Sequence, residues 1–160
     1  MLYTVLVILL VALDQLVKYW VVQNISLGEH LPFLPYILDL TYVKNTGAAF
    51  SLFSEHTWLL TLVSLVLSIL LAVALFRPLF RHPFGRIALA LLLAGAVGNL
   101  IDRAFQGYVV DMFHVLFMEF AVFNVADICV VVGGFAAVLY YLFFYEKLEG
   151  RPQAPQKEEL

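Results

Sequence analysis

A chain of 160 residues that is 63% hydrophobic and only 13% charged carries more apolar surface than one small core in water can hide. That excludes an ordinary soluble enzyme and makes the bilayer the solvent. The formal net charge of −3 says little in that setting, and no nucleic-acid partner is expected from it.

A membrane-spanning helix needs roughly 20 mostly apolar residues, and four stretches supply them: residues 2–22, 57–76, 87–105 and 125–145. The first has no basic region ahead of it and no small-residue cleavage site after it, so a retained span is expected and not a removed signal. Within it, "DQLVK" sets Asp14 and Lys18 four residues apart on one helix face, acid before base, the favourable order for an ion pair. Mutual neutralisation, bonding to nearby backbone and direct chemistry all remain open for this pair, because polar residues inside a span are functional candidates by default.

The segment from 23 to 56 contains "LPYILDLTYVKN", rich in β-branched and aromatic residues and favouring short strands. In "SLFSEHTWLL", Ser54 is placed to cap a helix and Glu55 suits its first turn. Tyr36, Tyr42, Phe50, Phe53 and Trp58 suit the headgroup level. The second span carries no charged residue. After it, "RPLFRHPFGR" supplies Arg77, Arg81 and Arg86, and the end of the chain supplies Lys147, Arg151 and Lys157. The excess of positive charge predicts that these segments face the cytoplasm. Both termini are then cytoplasmic, and the segments 23–56 and 106–124 lie outside.

The third span ends in "LAGAVGNLIDRAF", where Gly95, Asn99 and Arg103 form one row and Ala94, Gly98 and Asp102 the row beside it. The small residues suit close helix packing. Asn99 and Arg103 point donors toward the outer end, either for a substrate or to hold the outer segments. "GYVVDMFHVLFMEFAVFN" again favours strands, and it carries Asp111 among apolar neighbours; taken alone, Asp111 is also explicable as a charge that protects a sheet edge. Asn124 with Asp127 opens the fourth span as an N-cap and an N3 acid would. Cys129, the single cysteine, is expected to serve packing. The whole reads as one integral-membrane domain over 1–146 with a polar tail over 147–160, its fold a four-helix transmembrane bundle, mainly α, with a small outer β-sheet.

Asp111 and Asp127 gain meaning as a pair. Both fall in outer segments at the depth where the fourth span begins. Two carboxylates close together in an apolar setting cannot both ionise comfortably, so they share a proton. That arrangement suits amide hydrolysis: one carboxylate accepts a proton from the attacking water while the protonated partner donates to the carbonyl oxygen. Rival chemistries have less support. His30, His56, His82 and His114 are scattered without ligand spacing, so no metal site is expected. No GxSxG, Walker or dinucleotide pattern occurs, and no cofactor is expected.

"DQLVK" (14–18), "NTGAAFSLF" (45–53), "GNLIDR" (98–103), "GYVVD" (107–111) and "FNVAD" (123–127), in this order and spacing, resemble bacterial lipoprotein signal peptidase, or signal peptidase II. The resemblance covers nearly the whole chain. It implies a four-span inner-membrane aspartic peptidase with an extracytoplasmic sheet and a short interfacial helix, acting on prolipoproteins that carry diacylglyceryl-cysteine and cutting before that cysteine. Membrane lipids are the other expected partners, and a monomer is expected. Asp111 and Asp127 match the catalytic dyad; Asp14, Lys18, Asn45, Asn99, Arg103 and Asn124 match positions that line or support the site. Met112 stands where many relatives have Phe, a departure that bears on the wall of the pocket. Two other classes compete with this reading. A proton-coupled transporter predicts inverted repeats or broken helices, and neither is visible in the sequence; a scaffold would use the two acids only as cap and edge charge.

Overall fold

Each of the four apolar stretches folds into one helix long enough to cross a bilayer. The elements run α1 (Leu2–Asn24), β1 (His30–Leu34), β2 (Leu38–Asn45), α2 (Thr57–Phe76), α3 (Pro83–Gln106), β3 (Val109–Val115) and α4 (Val125–Phe143). The computed structural model describes residues 1–47, 57–77, 80 and 82–145. Ser54, Glu55, Phe50, Phe53, Arg81 and the tail over 147–160 lie outside the described residues, and no short interfacial helix occurs among those described.

Local chemistry sets the helix ends. α3 begins at Pro83 and not at 87 because His82 caps it: the His82 Nδ1 accepts from the Phe84 N–H at 3.2 Å, and proline suits the first helical turn, which needs no N–H. It stops at Gly107, whose φ of 76° is a left-handed conformation that glycine adopts without strain. α4 opens with the full capping box expected from Asn124 and Asp127 and ends at Phe143, short of 145.

α3 is the hub, packed against α1, α2 and α4. The outward faces of the other helices expose Ile8, Leu16, Leu62, Ile69, Val131 and Phe135, a surface suited to hydrocarbon and not to water. On α3 the small-residue stripe lets α4 approach. A Cβ on Gly95 would run into the Ala126 carbonyl oxygen, and one on Gly98 would lie 2.7 Å from the Asp14 Oδ2. The glycines are therefore required for packing, and at Gly98 packing brings a carboxylate against the backbone.

The strands form an antiparallel sheet in the order β1-β2-β3, at the end of the bundle where α1 and α3 finish and α4 begins. β1 was not legible as a strand because of Pro32, which is tolerated on an edge strand, where its missing N–H breaks no interior ladder. One face of the sheet packs on α1, joining Val110 and Met112 to Val21, Ile25 and Tyr42. Two expectations fail here. Tyr42 is buried in this core and so does not offer its ring to the headgroups, whereas Tyr36 and Trp58 are exposed. Met112 is fully buried in the same cluster; its neighbours on β3 point to the opposite face, so the Met-for-Phe departure does not shape the wall beside Asp111. At its free edge β3 is tied to the chain just before α4: the Met112 and Phe113 N–H groups both donate to the Phe123 carbonyl, at 3.0 and 2.8 Å, and the Phe123 N–H returns to Phe113 at 3.2 Å. That short bridge carries Asp111 to the mouth of α4.

Replacing Gly98 by Ala is expected to destabilise the protein by about 1–3 kcal/mol through overpacking. Gly134→Ala, where an added Cβ meets nothing within 4 Å among the described residues, is expected to be neutral or stabilising. Thermal unfolding in detergent micelles compares the two; equal Tm values would contradict the packing role.

Candidate active site

The site is assembled where β3, the C-terminal half of α3 and the N-terminus of α4 meet. Asp111 points to the sheet face opposite Met112 and is 2% exposed. Its Oδ1 accepts from the Asn124 Nδ2 at 2.6 Å and its Oδ2 from the Asn45 Nδ2 at 2.9 Å. Asp127 accepts from the Asn99 Nδ2 at 2.8 Å on Oδ1 and from the Asn124 backbone N–H at 3.2 Å on Oδ2. The two asparagines are themselves linked, Asn124 Nδ2 donating to Asn99 Oδ1 at 3.1 Å. Asn124 thus serves both readings left open by the sequence. It caps α4, its Oδ1 accepting the Asp127 N–H at 2.9 Å, and its amide nitrogen reaches the second carboxylate. Asn45 accepts the Gly47 N–H in a local turn at 2.9 Å and donates to Asp111.

Beneath this group lies a buried ionic brace. Lys18 is 3% exposed and pairs with Asp14 at 2.9 Å and Asp102 at 3.0 Å, while also donating to the Asn99 Oδ1 at 3.1 Å. Asp14 uses its other oxygen to accept the Ala126 N–H at 2.8 Å, satisfying a first-turn donor of α4 that has no partner within the helix. Asp102 accepts the Val110 N–H at 3.0 Å. The Gln15 Nε2 lies 3.1 Å from Asp14, 3.2 Å from the Gly98 carbonyl and 3.0 Å from Asp102. The Asp14–Lys18 pair thus joins α1 to α3, α4 and β3. Asp102 and Gln15 were not among the candidates, though both lay inside the quoted motifs. Their signal was being polar inside a span, and it was masked because each was adjacent to a stronger candidate.

Arg103 holds an outer segment: its Nη2 donates to the Gly47 carbonyl at 3.0 Å, while its buried Nε has no partner among the described residues. With Asn99, Asp111 and Asp127 it lines the polar end of a cavity of about 520 Å³ whose other walls are apolar, from Phe120, Ile128, Val130 and Val131. Burial pushes the Asp111 carboxyl up to about 6; the nearby Asp127 charge acts in the same direction, against the hydrogen bonds from Asn45 and Asn124. All eight expected site residues meet here. The histidines behave otherwise than expected: His30 and His114 are not scattered but lie face to edge across the sheet, with ring centroids 5.0 Å apart.

A polytopic fold with a buried carboxylate, Asp111, and a half-buried one, Asp127, at the polar end of an apolar cavity defines a membrane-embedded enzyme. The comparisons narrow the class. The family model described as signal peptidase (SPase) II matches residues 6–144. The lipoprotein signal peptidase of Streptococcus pyogenes serotype M2 (strain MGAS10270) is 44% identical over 136 residues, 82% of this chain and 87% of that one. The protein of the same name from serotype M5 (strain Manfredo) is 43% identical over the same share of each chain. A bacterial membrane enzyme solved by the in meso method at 2.3 Å resolution superposes with a TM-score of 0.84 at 25% identity, over 95% of this chain and 93% of that one. Another, at 1.9 Å, gives 0.81 at 27% identity over 89% and 93%. The chain belongs to the signal peptidase II family and is a multi-pass membrane peptidase.

Lys18→Met would leave Asp14 and Asp102 buried without their shared cation. A loss of about 3–5 kcal/mol is expected, read as a lower Tm in micelles. An unchanged Tm would show that the brace contributes nothing.

Proposed function

We propose that the protein removes the signal peptide from prolipoproteins, cutting just before a cysteine that already carries diacylglycerol, and that Asp111 and Asp127 activate the attacking water. The observation that carries this reading is the sharing of one asparagine pair by both carboxylates at the polar end of an apolar cavity. A signal peptide crosses the membrane as an apolar helix, and its cleavage point emerges at the outer interface. The cavity offers an apolar wall for such a segment and acids at the depth where it ends.

The division of labour follows from the surroundings. Asp127 sits in the first turn of α4, where the helix dipole favours negative charge, so it is the base that takes a proton from water as the oxygen attacks the scissile carbonyl. Asp111, buried and held toward its protonated form, donates to the carbonyl oxygen and stabilises the tetrahedral intermediate. As the C–N bond breaks, the proton held by Asp127 passes to the departing amine of the cysteine, and Asp111 recovers its own proton from the collapsing hydroxyl. Asn99 and Asn124 hold the carboxylates at fixed angles. The Nε of Arg103, unpartnered among the described residues, is the donor available to a peptide carbonyl or lipid headgroup oxygen.

Orientation follows from charge. Arg77 and Arg86 lie at the end of the bundle opposite the sheet, so the positive-inside rule sets that end and both termini in the cytoplasm and the site on the extracytoplasmic side of the inner membrane. One chain supplies every residue of the site, which suits a monomer working among membrane lipids.

Asp111→Asn and Asp127→Asn are each expected to lower cleavage of a diacylated precursor by at least about 10²–10⁴-fold while the protein stays folded. Cleavage by both variants at the wild-type rate would refute the dyad. Equal cleavage of unmodified precursor by the wild type would remove the lipid requirement. Because Asp111 acts as the acid, kcat/KM is expected to fall as pH rises above about 6, where it ionises in the free enzyme; a rate that rises through that range would reverse the assigned roles.

A further inference from the structure

The sheet gathers three potential ligands that stand far apart in the sequence. His30 lies on β1, Asp39 on β2 and His114 on β3. Asp39 pairs directly with His114 in the ladder, and Pro32 pairs with Asp39, which puts His30 on the diagonal from Asp39, within reach of long side chains. One ligand atom from each of the three lies within 4.8 Å of the others, and His30 Nδ1 is 3.9 Å from Asp39 Oδ2. The Nδ1 of His114 is buried and has no hydrogen-bond partner among the described residues, although buried ring nitrogens are as a rule satisfied.

We propose that His30, Asp39 and His114 form a binding site for a divalent transition-metal ion, with Zn²⁺ as the representative ion. Two imidazoles and a carboxylate are a zinc donor set, and three protein ligands leave a fourth position for water. Imidazole-rich sets also suit copper and nickel and do not suit calcium or magnesium. Zinc–ligand bonds of roughly 2.0–2.2 Å require the three atoms to draw closer than they stand. The means to do so is present: the His30 side chain is 50% exposed, so it can turn inward while Asp39 and His114 stay on the ladder. The unpartnered His114 Nδ1 would then find its partner in the metal.

This site is separate from the two acids. On β3, His114 is three residues from Asp111, and side chains alternate along a strand, so it shares the face of Met112 and not the face that meets the cavity. A metal there would clasp all three strands. Its main effect would fall on β1, the edge strand whose pairing is irregular between Pro32 and Leu34.

The test uses the full chain, purified in detergent micelles and stripped of metal by dialysis against chelator. Calorimetric titration with Zn²⁺ is expected to give one ion per chain, and Co²⁺ substitution a visible absorption spectrum of low-coordinate cobalt. His30→Ala, at an exposed residue, is the decisive variant, because His114→Ala also removes a packed ring. His30→Ala and Asp39→Asn are each expected to weaken Zn²⁺ binding at least tenfold, about the smallest loss expected even for groups that only support a metal ligand. Asp111→Asn is expected to bind as the wild type does. No binding by the wild type at about 100 μM Zn²⁺, at least about a thousandfold weaker than structural zinc sites, would overturn the site; so would binding that survives His30→Ala unchanged or disappears in Asp111→Asn.

Discussion

Two carboxylates brought together at the polar end of an apolar cavity must each find donors, and the asparagine pair Asn99–Asn124 meets that demand. Asn124 gives its amide nitrogen to Asp111 and its backbone N–H to Asp127, and Asn99 gives its amide nitrogen to Asp127. Without these donors the buried Asp111 would either stay unsatisfied, at a cost of several kcal/mol, or move away, and the half-buried Asp127 would lose the bonds that hold it beside Asp111. The side chains come from α3, β3 and α4, elements that share no local sequence, so the rest of the fold can be understood as the apparatus that brings those three together.

That apparatus is layered. The Gly98 backbone lets Asp14 lie between α1, α3 and α4, and Lys18 neutralises Asp14 and Asp102 at once while orienting the Asn99 carbonyl. The same acids satisfy backbone N–H groups of α4 and β3. One ionic cluster therefore sets the height of the helix that carries Asp127 and of the strand that carries Asp111. A buried ion pair is weak evidence for net stability, and its value here lies in fixing register. In lipid, where helices gain little from apolar contact with one another, polar contacts and small-residue packing are the forces that can specify such a register.

Much of this was legible in the sequence. The four spans were readable because apolar length alone defines them, and the polar residues of the site because the bilayer makes each conspicuous. Asp111 and Asp127 could be suspected as a pair from depth, but the bonds that join them depend on the β3 edge meeting Phe123, a tertiary contact with no local pattern. The failures have the same origin. Tyr42 was assigned to the interface by its residue type, yet its strand turns it into the core; Met112 was assigned to a wall by its neighbour in sequence, yet alternation turns it away. His30 and His114 looked scattered because a sheet converts sequence distance into lateral distance, and no spacing rule for a single element captures that.

The central claim is that Asp111 and Asp127 share an electrostatic environment, and a direct measurement is the ¹³C carboxyl titration of aspartate-labelled protein in micelles, in the wild type and in Asp127→Asn. Asp111 is expected to titrate near 6 in the wild type and at lower pH in Asp127→Asn, because removing the neighbouring negative charge makes its own ionisation easier. An Asp111 resonance that titrates like an ordinary carboxyl, at about 4, and does not move in Asp127→Asn would contradict the account.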